Sequence, residues 1–182
     1  MAKLIYSTMT SLDGYINDEQ GEFGWARPDE EVHGFFNDLE RPIGTHLYGR
    51  RMYEMMSYWQ DPGDLGGPVH RDYAEIWQAA EKIVYSRTLE SAPTPRTRLE
   101  AEFDPGAVRE LKETAETDLG IGGAGLAAEA LRAGLVDELH QVLHPVIVGG
   151  GTHWLPTGLR LDLELLDEHR FAGGAVHLHY RI

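Results

Sequence analysis

The sequence predicts an α/β fold over residues 1–182 as one domain, a mixed, mainly parallel sheet flanked by helices with an antiparallel strand pair at its carboxyl end. Three observations predict it. Short apolar, β-branched runs alternate with helical patterns as far as Gly134. Strands pass into helices through glycine turns at Gly49 and at Gly122-Gly123-Ala124-Gly125. Leu159, Leu161, Leu163 and Leu165, and then Val176, Leu178, Tyr180 and Ile182, alternate with other residues at period two.

Residues 4–9 are an apolar run suited to a buried strand, and Ser11-Leu12-Asp13-Gly14-Tyr15-Ile16 is a turn with an apolar return. Pro28 and Asp29 start a helix, Glu30 and Glu31 complement its amino-terminal dipole, and Val32, Phe35, Phe36 and Leu39 share one face. A strand over 43–48 ends at Gly49 and a helix covers 50–56, followed by a Pro/Gly-rich loop over 61–68. A helix near 71–80 leads into a strand over 82–86. Residues 91–97 form a loop and 99–103 a short strand, with a helix over 105–114. A brief strand at 119–121 enters the second glycine turn, and the helix carrying Leu126, Ala127, Ala130 and Leu131 stops at Gly134. Residues 136–148 read as one long buried strand. The two alternating strands that follow are joined by 167–174.

Composition narrows the function. Thirty acidic against 16 basic residues give a net charge of -14, which repels nucleic acid and anionic membranes, so an anionic ligand requires a local basic pocket. There is no cysteine, which excludes disulfides, thiolate metal sites and cysteine nucleophiles, and any redox chemistry must come from a cofactor. The amino terminus has no extended apolar segment, and each later apolar run is broken before membrane-spanning length. A soluble, cytoplasmic protein is expected.

Helix amino termini present unpaired N–H groups, and glycine lets an anion approach them. Gly122, Gly123, Ala124, Gly125 and Leu126 combine both properties. Gly120, Gly122 and Gly125 also satisfy GxGxxG, but no acidic residue follows at 143–145 to hold a ribose and the motif does not open the first βαβ unit, which argues against a Rossmann frame. At the first turn, Gly49 precedes Arg50 and Arg51, whose guanidinium forks suit phosphate; Ser86-Arg87 adds another hydroxyl and guanidinium after a strand.

Taken together, these residues resemble the dihydrofolate reductase-like superfamily, and within it the carboxy-terminal reductase domain of the riboflavin-biosynthesis protein RibD. The landmarks are Ser11-Leu12-Asp13-Gly14, Gly49-Arg50-Arg51-Met52-Tyr53-Glu54, Ser86-Arg87, Gly122-Gly123-Ala124-Gly125, Asp137-Glu138-Leu139, and His144-Pro145-Val146-Ile147-Val148-Gly149-Gly150-Gly151, in an order that spans nearly the whole chain. The resemblance implies NADPH as cofactor. Arg50, Arg51, Ser86 and Arg87 then hold the 2'-phosphate side, Gly122 to Leu126 the pyrophosphate, and Asp13, Gly14 and Ile16 border the nicotinamide. Thr152-His153-Trp154-Leu155-Pro156 is similar to an Asp-Thr-His-Phe-Pro segment of dihydrofolate reductases, with Gly151 in place of the aspartate, which makes Thr152 and Trp154 candidate substrate contacts. The active-site carboxylate of that family aligns with Glu31, or with Glu30 after a shift of one.

Hydride transfer requires a positioned nicotinamide and a proton donor. Glu31 and Asp13 are the candidate catalytic carboxylates; Glu30 and Glu31 equally serve the helix dipole, and Asp13 equally serves a turn. Trp25, Trp59 and Trp154 are candidates to line an aromatic pocket. His177 and His179, like His140 and His144, share a strand face, but with no evident third ligand they read as solvent-facing imidazoles and no metal is expected. The expected activity is NADPH-dependent reduction of a small heterocycle of the riboflavin-pathway type. The alternatives are a pterin reductase and a non-catalytic NADP(H)-binding protein. The alternating carboxyl-terminal edge strands suggest a homodimer.

Overall fold

The apolar run nearest the amino terminus becomes an inner strand of the sheet. In the computed structural model, which describes residues 1–63 and 67–182, β1 (Leu4–Thr10) lies between β6 (Asp118–Gly122) and β7 (Glu138–Leu143), parallel to both. β3 (Ile43–Gly49), β4 (Glu81–Tyr85) and β5 (Thr97–Glu100) continue the parallel sheet beyond β6. On the other side β10 (Val176–Arg181) runs antiparallel to β7, and β9 (Glu164–Arg170) antiparallel to β10, so the spatial order is β5-β4-β3-β6-β1-β7-β10-β9. A separate ribbon pairs β2 (Tyr15–Asn17) with β8 (Thr152–His153).

Among the described residues, five α-helices cover the sheet: α1 (Glu30–Glu40), α2 (Arg50–Met56), α3 (Gly67–Ala79), α4 (Pro105–Thr114) and α5 (Ala124–Arg132). Side-chain oxygens of Asp29 and Asp104 accept from the Val32 and Gly106 amides at 2.9 and 2.8 Å, satisfying donors that a helix start leaves open. Consecutive strand residues serve opposite layers. Leu47 and Ile83 join Val108, Ala127 and Leu131 of α4 and α5, whereas Tyr48 and Val84 join Tyr53, Met56 and Trp77 of α2 and α3. Val32 of α1 packs with Val142, Phe171 and Ala175. The buried Lys112 ammonium donates to Leu135 O at 2.7 Å and meets the Asp137 carboxylate, which also accepts from the Leu4 amide at 2.7 Å; this pins β1, α4 and the start of β7 together.

Several boundaries differ from the sequence expectation. The strand expected over 136–148 covers only Glu138–Leu143: β1 ends at Thr10, whose carbonyl accepts the last ladder bond from the His144 amide at 2.8 Å, and Pro145 has no N–H to continue. The alternation at 159–163 is not a strand: β10 ends at Arg181, whose partner is Glu164, so earlier residues have no neighbour with which to pair. The hairpin turn is correspondingly short, closed by the Phe171 amide on Ala175 O. The short strand expected over 99–103 runs over Thr97–Glu100 instead, and Phe103 leaves it to pack on Tyr85. Of the loop expected over 61–68, residues 64–66 lie outside the described residues, and α3 begins at Gly67. No helix of the described residues is long and apolar enough to cross a membrane.

Candidate active site

The three turns singled out in the sequence emerge at the carboxyl ends of neighbouring parallel strands, the edge at which open α/β sheets bind ligands. Gly49 pairs with Tyr85 on β4, and Tyr48 pairs with Gly122 on β6, so the turns after β4, β3 and β6 stand side by side. Arg50 links two of them: its Nη1 donates to Thr88 Oγ1 at 2.8 Å, and its Nε to Glu54 at 2.7 Å one helical turn along. Arg87 stands 3.5 Å from Glu102, both largely exposed, and Arg51 is exposed on the same helix start as Arg50. Such surface pairs contribute little and are readily exchanged for a phosphate. Ser86 Oγ accepts from the Thr88 and Leu89 amides at 3.2 and 3.0 Å, so this hydroxyl shapes the turn that carries Arg87.

The glycines of these turns divide by cause. A Cβ on Gly122 would lie 2.9 Å from the Tyr48 ring and 3.1 Å from Met52 Cε, so packing between the first and second turns requires glycine there. Gly123, the cap of α5, has φ +95°, which favours glycine by backbone conformation. Gly120 makes room for His46, whose Nδ1 would be 2.7 Å from a Cβ; this accounts for the first glycine of the GxGxxG match without a nucleotide. Gly49 and Gly125 are different. Both have φ outside the left-handed region, and a Cβ on either would meet nothing within 4 Å. Among the described residues no side chain caps α5, and glycine at 125 keeps its first turn bare. The residues present fit a diphosphate group laid against Gly122 to Leu126 and a phosphate among Arg50, Arg51 and Arg87.

The loop after β1 borders this edge. The Asp13 carboxylate accepts from the Val148 and Gly149 amides at 3.2 and 2.8 Å, clamping this loop to the segment after β7. The Ser11 hydroxyl and those amides hold it below the usual carboxylate range, so Asp13 is ionised at neutral pH. Ile16 packs against the main core cluster from β2. The Glu31 carboxylate accepts from the Ala172 amide at 2.9 Å in the β9–β10 turn.

Trp154 is buried beneath the Gly14 turn, with its amide on Gly14 O at 3.1 Å and its ring 5.9 Å from Tyr6. Thr152 is exposed on β8, and its amide donates to Asn17 Oδ1 at 3.0 Å. The three tryptophans do not form one aromatic pocket: Trp154 packs in the core, Trp25 contacts His144 edge-on, and Trp59 packs with Tyr73 and His33 between α1 and α3. Sequence reasoning passed over Arg27. With Trp25, Asp29, Val32, His144 and Pro145 it lines a cavity of about 250 Å³ between the start of α1 and the segment after β7. His144 Nε2 is buried there with no hydrogen-bond partner among the described residues. The sequence signals for this cavity were Trp25, a candidate pocket aromatic, and His144-Pro145 at the end of an apolar run.

A mainly parallel sheet with this order, an antiparallel carboxyl-terminal hairpin and glycine turns side by side at one edge is a dihydrofolate reductase-like fold. Solved structures agree. Dihydrofolate reductase from Enterococcus faecalis, complexed with NADP(H), superposes with a TM-score of 0.61 at 15% identity, covering 98% of this chain and 95% of that one. A Shewanella sp. PV-4 protein assigned provisionally to riboflavin biosynthesis superposes at 0.77 with 21% identity, covering 100% and 98%. Residues 2–176 match the model of the RibD C-terminal domain, and the chain belongs to that family. It is also 26% identical to the uncharacterized YyaP of Bacillus subtilis (strain 168), over 98% of this chain and 94% of that protein.

Proposed function

We propose that the protein is an NADPH-dependent reductase of a small heterocyclic substrate, of the type that reduces 5-amino-6-(5-phosphoribosylamino)uracil. The observation that carries this reading is the alignment of the Gly49-Arg50-Arg51, Ser86-Arg87 and Gly122–Leu126 turns on three adjacent strand ends, beside two glycines that packing and backbone leave unexplained. Family membership supports the riboflavin-type substrate over a pterin.

NADPH, when bound, supplies a hydride. Arg50, Arg51 and Arg87 recognise the 2'-phosphate, and the first turn of α5 orients the pyrophosphate. Asp13 orients the loop along which the nicotinamide lies, and Ile16 supports that loop from the core. The ionised Asp13 holds no proton at neutral pH, so its contribution is placement. Glu31 ties α1 to the β9–β10 turn beside the Trp25–Arg27–His144 cavity, which takes the polar end of the substrate.

Tryptophan fluorescence titrated with NADPH and NADH tests the cofactor: saturable quenching with marked preference for NADPH is expected, and no response at millimolar concentrations refutes the reading. Oxidation of NADPH followed at 340 nm with pyrimidine and pterin substrates then separates an enzyme from a mere binding protein. Association into a homodimer is part of the proposal. β9 is exposed along its entire length at the sheet edge, with Leu161, Leu163, Leu165 and Leu166 exposed on or just before it. Light scattering showing a monomer at micromolar concentration would overturn that part.

A further inference from the structure

The histidines read as solvent-facing in the sequence are not so. His140 and His177 are buried on the α1 face of the sheet, where burial pushes them down to about 3 and about 4, and His179 is partly covered beside them. Antiparallel pairing of β7 with β10 sets His179 directly opposite His140, and Glu138 lies two residues before His140, on the same face. Two ligands at i and i+2 of one strand with a third across the ladder is an arrangement that three side chains can use to converge on one point.

We propose that Glu138, His140 and His179 form a binding site for one divalent ion of zinc-like chemistry. The ligand atoms of the three all lie within 4.8 Å of one another. Glu138 Oε2 stands 3.1 Å from His179 Nε2 and 4.0 Å from His140 Nε2; the first is a hydrogen bond and the second too long for one. Around a tetrahedral ion with bonds of about 2.0–2.2 Å, ligand atoms are separated by roughly 3.4 Å. Small side-chain rotations therefore close the set.

The surroundings fit ligation as well. His140 Nδ1 is 3.0 Å from His177 Nε2, so the His140 Nδ1–H can donate to His177 and leave its Nε2 lone pair facing Glu138, the support usual for metal-bound imidazoles. The other carboxylate oxygen of Glu138 is held by the Lys3 ammonium at 2.7 Å, which fixes the rotamer and leaves Oε2 for the ion. His179 is 20% exposed, which gives the ion a path in. Two imidazoles and a single carboxylate select zinc, nickel or copper over magnesium and calcium. The site sits at the start of β7, at the opposite end of the strands from the phosphate turns, so it stands independently of the cofactor reading.

The test is equilibrium dialysis of the chelator-treated full-length protein against Zn²⁺. One ion per chain at micromolar free zinc is expected, with Glu138→Gln and His179→Ala each binding at least tenfold more weakly and the surface control His153→Ala unchanged. Should a variant fail to fold, the wild-type protein still decides: Co²⁺ must give the visible absorption of a tetrahedral nitrogen–oxygen site, and Zn²⁺ but not Mg²⁺ must raise the melting temperature. Less than a tenth of an ion per chain at 100-fold higher free zinc, an octahedral Co²⁺ spectrum, or equal loss in His153→Ala would overturn the proposal.

Discussion

Replacing Gly125 separates what the fold needs from what a ligand needs. The residue lies in the first turn of α5, and a Cβ there meets nothing within 4 Å. Gly125→Ala therefore gains the helix propensity that glycine forgoes, about 0.5–1 kcal/mol, which in a domain of this size raises the melting temperature by roughly 2–4 °C per kcal/mol. Gly125→Asp retains most of that gain, because a carboxylate in the first turn interacts favourably with the helix dipole. Cofactor binding responds in the opposite direction. A carboxylate about 5 Å from a phosphate is repelled by roughly 3 kcal/mol at an effective dielectric of about 20. Screening over a Debye length of about 8 Å removes part of this and leaves at least a tenfold loss of NADPH affinity. Thermal melts and fluorescence titrations of both variants provide the readout. A Gly125→Asp protein that melts no lower than wild type and still binds NADPH as tightly would falsify the pyrophosphate assignment, whereas a lower melting temperature in Gly125→Ala would show that the space at 125 is needed by the protein itself.

Further outcomes follow from other positions. Arg50→Ala and Arg87→Ala should each lower NADPH affinity about tenfold while leaving NADH binding nearly unchanged, measured by the same titration; equal losses for both cofactors would remove these residues from the 2'-phosphate. Burial and the nearby Lys82 ammonium push His46 down from 6.5 to about 4, so the unfolded chain takes up a proton first and stability falls as pH drops from about 6.5 to 4. In His46→Gln, urea unfolding across that range should show a shallower decline. Glu40 acts in the opposite sense: burial raises it to about 7, so Glu40→Gln should steepen the rise in stability between pH 4.5 and 7, and an unchanged slope would show that its carboxyl is solvated. A Cβ on Gly151 would come within 2.0 Å of the Asn17 carbonyl oxygen, at φ +131°. Gly151→Ala should therefore cost about 2–4 kcal/mol by strain and unpairing of β2 from β8, read as a lower urea midpoint.

What was legible in the sequence is what depends on local pattern. Asp29 followed by two glutamates marks the start of α1, and Pro105 that of α4, because caps and first-turn charges act within a few residues. The strand–helix turns at Gly49 and Gly122-Gly123 were legible as turns because glycine marks such a junction within a few residues. The misread elements depend on partners distant in the chain. Leu159 to Leu163 alternate like a strand, yet β10 is too short to reach them. Trp154 resembles a ligand-facing aromatic by position, but the β2–β8 ribbon folds it under Gly14. His140, His177 and His179 became neighbours only through the β7–β10 pairing, which brings together residues nearly forty apart. Glu31 was singled out by its alignment with a family carboxylate and Asp13 by its loop, whereas their hydrogen bonds to the Ala172, Val148 and Gly149 amides join segments more than 130 residues apart and leave no local mark in the sequence.

The placement of β1 also bears on biogenesis. Its partners are Leu119 to Ile121 on one side and Glu138 to Leu143 on the other, and β3 reaches it only across β6. During synthesis, β3, β4 and β5 can pair as they emerge, but the first strand waits without a neighbour until Asp118 to Gly122 has left the ribosome. The long-range closure then comes late, and for that interval an apolar amino-terminal segment is exposed to chaperones and to aggregation.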